Sequence, residues 1–236
     1  MDRKKFIRNS ILGIASLATA SKLLESCSKN DHDDSGSSSS EDGSCTVSPS
    51  ETKGPFPIKT PSQLVLENIK SDRIGVALLI NLVIENKNNN CSPLSGVLVD
   101  VWHCDKDGNY SEYGGTSMQP KDYTSVHFLR GRQTTNSKGE VSFISIFPGW
   151  YQGRAPHVHI EVLSTNGASL LVTQIAFPET VSSTVYSSEN YVAHGQADTS
   201  NTRDNVFSDS LADELATLTG NLTDGYTLSK TITVNT

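Results

Sequence analysis

The 236-residue chain lacks a basic stripe, uses little cysteine, shows no internal repeat, and holds no apolar run long enough to cross a bilayer comfortably. Each lack excludes something. Lys and Arg number 19 against 26 Asp and Glu, for a formal net charge of −7. Five of the basic and two of the acidic side chains fall within residues 1–26, so the remainder carries 14 against 24. An acidic chain of this kind repels a phosphate backbone, which argues against a nucleic-acid partner. None of the four cysteines stands at a zinc-binding spacing. Without a repeat, solenoids and propellers are set aside. At this length one sizeable domain with trimmings is expected.

The trimmings lie at the amino end. "MDRKKFIRNSILGIASLATASKLLESC" has a basic start, a modest apolar run from Ile11 to about Leu24, and small or polar residues before Cys27. Residues 1–27 read as an export signal. Cys27 resembles the lipid-accepting cysteine of bacterial lipoproteins, and "DRKKFIR" resembles a twin-arginine signal with Arg3-Lys4 in place of two arginines. An exported, periplasmic or cell-envelope protein, lipid-anchored at Cys27, is the expectation. Residues 28–44, "SKNDHDDSGSSSSEDGS", offer nothing apolar to anchor a core and read as a solvated tether. The domain is expected over 45–236. In an oxidising compartment one disulfide and one free thiol are expected among Cys45, Cys91 and Cys104. Cys91 and Cys104 flank a strand whose ~3.3 Å rise per residue holds them apart, so Cys45 is expected at one end of any bridge.

From Cys45 onward the pattern is that of strands. "GVALLINLVIE" (75–85) and "GVLVDVWH" (96–103) are β-branched runs separated by a polar loop. "RQTTNSKGEVSFISIF" (132–147) carries a hairpin signal at Asn136-Ser137-Lys138-Gly139. "HVHIEVL" (157–163) and "SLLVTQIAF" (169–177) flank another turn, and "YTLSKTITV" (226–234) closes the chain. The good helix candidate is "SDSLADELATLTG" (208–220), with a Ser208 cap, Leu211, Leu215 and Leu218 on one stripe, and Gly220 as stop. The pattern predicts an all-β fold, a mostly antiparallel β-sandwich with long loops and one or two short helices. Loops 104–131 and 178–207 exceed normal connections, and such loops are where function sits.

Within "GRAPHVHIEV", His157 and His159 are two apart on a strand, so both project to one side with Cα atoms ~6.5 Å apart. Val158, Ile160 and Val162 then face the other side, as a core row should. Such a pair can share one ion, yet taken alone two histidines so spaced on a strand are common and more often belong to an ordinary strand. Two further segments bear on the choice. "VDVWHCDKDGNYSEY" (99–113) runs from a strand into an Asp-Lys-Asp-Gly turn and presents Tyr110. "FPGWYQGRAPHVH" (147–159) puts Tyr151 in a bend just before the histidines.

Together these segments resemble the intradiol ring-cleavage dioxygenases, the non-haem iron enzymes that include catechol and protocatechuate dioxygenases. The family has a Gly-x-Tyr-Ser turn after a strand ending in Trp-His, then a Pro-Gly-x-Tyr bend, then Arg-x-x-His-x-His. All three occur here in order, with "FLRGRQ" and "ETKGPFP" as further landmarks. The resemblance implies Fe(III) ligated by Tyr110, Tyr151, His157 and His159, a catechol-type substrate, and O2 as co-substrate. It also implies that Tyr151 leaves the metal when a catechol chelates it, and that the ring opens between the hydroxyl-bearing carbons to a muconate-type diacid. The chemistry is coherent with this. A free phenol has a pKa of ~10, so two phenolates at neutral pH need a strongly polarising cation, and hard Fe(III) suits anionic oxygen. Arg154 and Gln174 match family positions lining the pocket, where a guanidinium and an amide can stabilise charge as the substrate ketonises. Arg154 has a plainer reading as a loop charge, and Gln174 as the outward polar residue of a strand.

Other polar residues are expected to be structural: His103 hydrogen-bonded at a strand end, His127 and His194 in loops, Trp102 in the core, Asp105 and Asp107 as turn formers too closely spaced for an EF-hand. Two alternatives differ in class. A non-catalytic β-sandwich module could bind a catechol-type ligand or iron complex, since motifs do not guarantee turnover. A zinc hydrolase would use the histidine pair, but would want a third His or a carboxylate where tyrosines stand. The oligomeric state is open.

Overall fold

Two sheets account for the strand pattern in the computed structural model, which describes residues 45–236. The export signal, the lipid-accepting Cys27 and the tether all lie outside the described residues. Strand β1 (Ala77–Asn86) is the centre of the first sheet. It pairs antiparallel with the two-residue β2 (Ser92–Pro93) and with β5 (Glu140–Ile146), and parallel with the carboxy-terminal β9 (Gly225–Val234). Strand β8 (Thr217–Asn221) completes that sheet beside β9. The second sheet runs β4 (Arg130–Thr134), β3 (Leu98–Trp102), β6 (His157–Leu163), β7 (Ser169–Ala176), all neighbours antiparallel.

Alternation decides which side chains meet. From β1, Leu78, Ile80, Leu82 and Ile84 turn inward, and Val99, Val101, Val158, Ile160 and Val162 answer from the second sheet, all within one buried apolar cluster. Each such side chain contributes about 1.5–3 kcal/mol on burial. The other face of β6 holds His157, His159 and Glu161 and is buried too. Loops cover it, not a sheet. A parallel β1–β9 pair joins the chain's first and last long strands, and Cys45–Cys91 closes a further link with Cα atoms 5.8 Å apart. Cys104 is free and buried. Cys45 is thus one end of the bridge, and the cross-link is worth about 2–4 kcal/mol.

Two expectations are corrected. The Asn136–Gly139 turn forms, with Gly139 N donating to Asn136 O at 3.0 Å, but its arms do not make a hairpin. Strand β4 pairs with β3 in one sheet while β5 pairs with β1 in the other, so the turn is a corner between sheets. The helix expected over 208–220 shrinks to α2 (Leu211–Glu214), following α1 (Glu179–Tyr186). At Leu215 the backbone turns extended, Ala216 N donates to Ala176 O, and the β-branched Thr217 and Thr219 enter β8. Ladder bonds to β9 outweigh the leucine stripe, and Leu215 stays 37% exposed. Helix α1, in the loop 178–207, escapes sequence reading because "ETVSSTVY" is rich in β-branched residues.

His103 is bonded as expected at the end of β3, Nδ1 to Cys104 O at 2.8 Å and Nε2 to Ser145 Oγ at 2.7 Å. Burial pulls its pKa down from 6.5 to about 4. The unfolded chain therefore takes up this proton first as pH falls. Stability present above pH 6.5 should decline towards pH 4, by up to about 3 kcal/mol from this group. Urea unfolding across that window should show a shallower pH dependence for His103→Gln than for the wild type.

Candidate metal centre

The covered face of the second sheet is assembled from three stretches. The first leaves β3 after Trp102. Asp105 Oδ1 accepts from Asp107 N at 3.0 Å and Asn109 N at 2.9 Å, a tight turn of the kind expected for these residues. Gly108 sits at φ +80°, and a Cβ there would lie 2.2 Å from Trp150 O, so no larger residue fits. Beyond the turn Tyr110 is fully buried. Gln119 holds its backbone, accepting from Tyr110 N at 2.7 Å and donating to Tyr110 O at 2.8 Å. The second stretch is the bend at Tyr151, closed by Arg154 N donating to Tyr151 O at 3.1 Å. Tyr151 is half-buried, with exposed Gln152 and Gly153 after it. The third is β6 itself.

These stretches bring all four sequence-predicted donors together. His157 Nε2 and His159 Nε2 are 3.1 Å apart, and Tyr110 Oη is 3.4 Å from His157 Nε2. The Tyr151 ring lies 5.5 Å from the His157 ring and 5.7 Å from that of Tyr110. Ala155 O, an acceptor only, takes the His157 Nδ1 proton at 2.6 Å, which leaves a lone pair on Nε2. His159 Nδ1 meets no hydrogen-bond partner among the described residues, so no protein donor to Nδ1 forces the ring proton onto Nε2, which can offer a lone pair too. Trp102 stacks on His159 with ring centroids 4.9 Å apart and planes within 2°. Gly54 packs close to the same ring, where a Cβ would fall 2.9 Å from His159 Cε1.

The electrostatics fit a cation. Burial pulls the His157 pKa to about 3 and holds His159 well below the usual histidine range, so both rings are neutral. Burial pushes Tyr110 well above 10 and also raises Tyr151, so two phenolates here require a positive charge among them. Two nitrogens 3.1 Å apart can both sit about 2.1 Å from one ion. Among the described residues no group of three or more His, Cys, Asp or Glu is gathered for a metal. Among the described residues the His157–His159 pair gains no third His or carboxylate of the kind a zinc hydrolase uses; the tyrosines turn the pair into a foursome.

Arg154 and Gln174 stand beside the four. Arg154 Nη1 donates to Tyr151 Oη at 3.3 Å, and Nη2 donates to Gln174 Oε1 at 2.6 Å. Gln174 lies opposite His159 in the sheet register and donates to Thr52 O at 2.8 Å. Neither is a stray surface group: both are buried. Sequence reading missed Asp204, which is fully buried and accepts from Arg154 Nε, and it missed Gln119; both are polar residues in long loops with no local pattern to mark them. An apolar wall of Phe56, Ile58 and Tyr113 packs against Tyr110 and Tyr151. His127 pairs with Glu112 at 2.8 Å and His194 donates to Trp150 O at 2.8 Å, outside the foursome.

The dioxygenase family model, described simply as "Dioxygenase", matches residues 56–188, more than half of the chain. The solved intradiol ring-cleavage dioxygenase from Tetranychus urticae is similar at 31% identity and TM-score 0.72, covering 81% of this chain and 95% of its own. The dioxygenase domain of a dioxygenase carbohydrate-binding protein fusion from Streptomyces sp. SirexAA-E is similar at 25% identity and TM-score 0.57, covering 80% and 99%. Among curated proteins, chlorocatechol 1,2-dioxygenase of Rhodococcus opacus is 29% identical over 110 residues, 39% of this chain. That match spans only 40% of the curated relative's length.

Proposed function

Because the chain belongs to the intradiol ring-cleavage dioxygenases, a family that uses non-haem iron, we propose that it opens catechol-type aromatics with O2 to muconate-type dicarboxylates at a ferric centre held by Tyr110, Tyr151, His157 and His159. The convergence of two neutral imidazoles and two phenols on one buried spot supports this above all. When bound, ferric iron would acidify the phenols and a chelating catechol and ready the ring for O2.

The two tyrosines differ in a way that supports separate tasks. Tyr110 is enclosed and its backbone is held by Gln119, so it suits a permanent ligand. Tyr151 sits on an exposed bend, with a guanidinium against its oxygen. Its Oη can accept a proton from the incoming catechol, and Arg154 Nη1 lowers the cost of holding charge there until that proton arrives. Gln174 is engaged at both ends, so its role is to orient Arg154. Phe56, Ile58 and Tyr113 exclude water and favour a flat apolar ring.

Export and anchoring through Cys27 belong to the same proposal. The Cys45–Cys91 bridge supports them, because disulfides persist in oxidising compartments. Oxygen uptake by the iron-loaded protein across a panel of catechols, with product mass identified, tests the activity. Uptake with a product heavier than its substrate by one O2 is expected. Tight catechol binding without uptake would leave only a binding module.

A further inference from the structure

Asp204 is a fully buried carboxylate in the loop between α1 and α2, and neither of its oxygens is idle. Oδ1 accepts from Val206 N at 3.0 Å and Arg154 Nε at 2.9 Å. Oδ2 accepts from Ala155 N at 2.7 Å and Arg154 Nε at 2.8 Å. The Asp204 backbone is fixed in turn, its N donating to Ser200 O at 3.0 Å and its O accepting from Phe207 N at 3.1 Å. Each carboxylate oxygen is therefore pinned by a backbone amide, one from its own loop and one from the lead into β6. The carboxylate holds its direction independently of Arg154, and the arginine adapts to it.

A guanidinium is a rigid plane, so fixing Nε–H fixes where the other two nitrogens point. With Nε taken by Asp204, Nη1 is left for Tyr151 Oη and Nη2 for Gln174 Oε1. We propose that Asp204 is a positioning residue for ring cleavage: the loop that closes over the sheet aims the Arg154 guanidinium through it. This rests on the function proposed above, and it adds a member from a different part of the chain. Loop docking and charge stabilisation are thereby coupled, since Asp204 ties Ala155, Val206 and Arg154 into one unit.

The test is a double-mutant cycle on the iron-loaded full chain, with Asp204→Ala, Arg154→Ala and the pair, alongside side-chain NMR of the metal-free protein. Asp204→Ala should lower kcat roughly 10- to 100-fold, as lost outer-shell support does. Added to Arg154→Ala it should cost nothing further, because it acts through that arginine. Full turnover in Asp204→Ala, or losses that multiply in the pair, would overturn the assignment. So would an Arg154→Ala variant that turns over normally. Asp204→Asn keeps shape and one acceptor and should show a smaller loss; it takes the place of the alanine variant if that one fails to fold. In the metal-free protein, both Asp204 variants should shift the Gln174 side-chain amide signal, which Asp204 does not touch. A purely structural Asp204 would leave it in place, and an unmoved signal sinks the proposal. Absence of turnover in the wild type would instead sink the functional assignment, with the NMR result still deciding what aims Arg154.

Discussion

His157→Ala is expected to give a folded protein that no longer retains iron. The imidazole does two things: Nδ1 donates to Ala155 O, and Nε2 faces His159 and Tyr110. Truncation leaves one buried carbonyl without its partner, a cost of about 1–3 kcal/mol, against the roughly 5–15 kcal/mol that holds such a domain together. The apolar row on the reverse of β6, Val158, Ile160 and Val162, is untouched and keeps the strand in register. Outer-shell changes already cost about 10–100-fold in metal affinity, so losing a direct donor should exceed that. Metal analysis after dialysis, paired with a thermal melt, decides the matter. A melt collapsing along with the iron would mean that the histidine serves the sheet and not a metal.

Tyr110→Phe should be nearly silent in stability and severe in turnover. The substitution removes one hydroxyl and little volume. The ring keeps its stacking on Phe56, with centroids 4.8 Å apart, and the backbone keeps both bonds to Gln119. The lost oxygen's neighbour is His157 Nε2 at 3.4 Å, a long contact that contributes little to folding. A change below about 1 kcal/mol is expected in urea unfolding. Turnover should fall by about 10²–10³-fold, the scale seen when a single charge-stabilising group is removed from an active site. The phenolate-to-iron colour of the loaded protein should change with it. Unaltered colour and full oxygen uptake would place Tyr110 outside the metal's reach.

The contrast between these two substitutions follows from how the centre is built. Its donors hang from elements whose stability comes from elsewhere: β6 from the inter-sheet core, the Tyr110 loop from Gln119 and the Gly108 turn. Such a scaffold tolerates loss of a donor, whereas Asp204 and Arg154 are buried opposite charges, so removing either strands its partner.

Much of this was written in short-range pattern. The period-2 alternation of 157–163 fixed that His157 and His159 share a face and that Val158, Ile160 and Val162 share the other, because successive side chains on a strand must alternate. The Asp105–Gly108 turn followed from local side-chain-to-backbone bonding, which needs no distant partner. Tertiary structure decided the rest. Local chemistry makes the Asn136–Gly139 turn, but whether its arms pair depends on what else competes for them, and here β3 claims one and β1 the other. The leucine stripe of 208–220 lost to ladder bonds with β9 for the same reason. Asp204 and Gln119 could not be found in advance: a lone polar residue in a loop acquires a partner 50 or 9 positions away only when the chain closes. Periodicity is a property of neighbours along the backbone, so sequence determines it. Which long loop lies over which face is a competition among distant contacts, and only the folded chain resolves it.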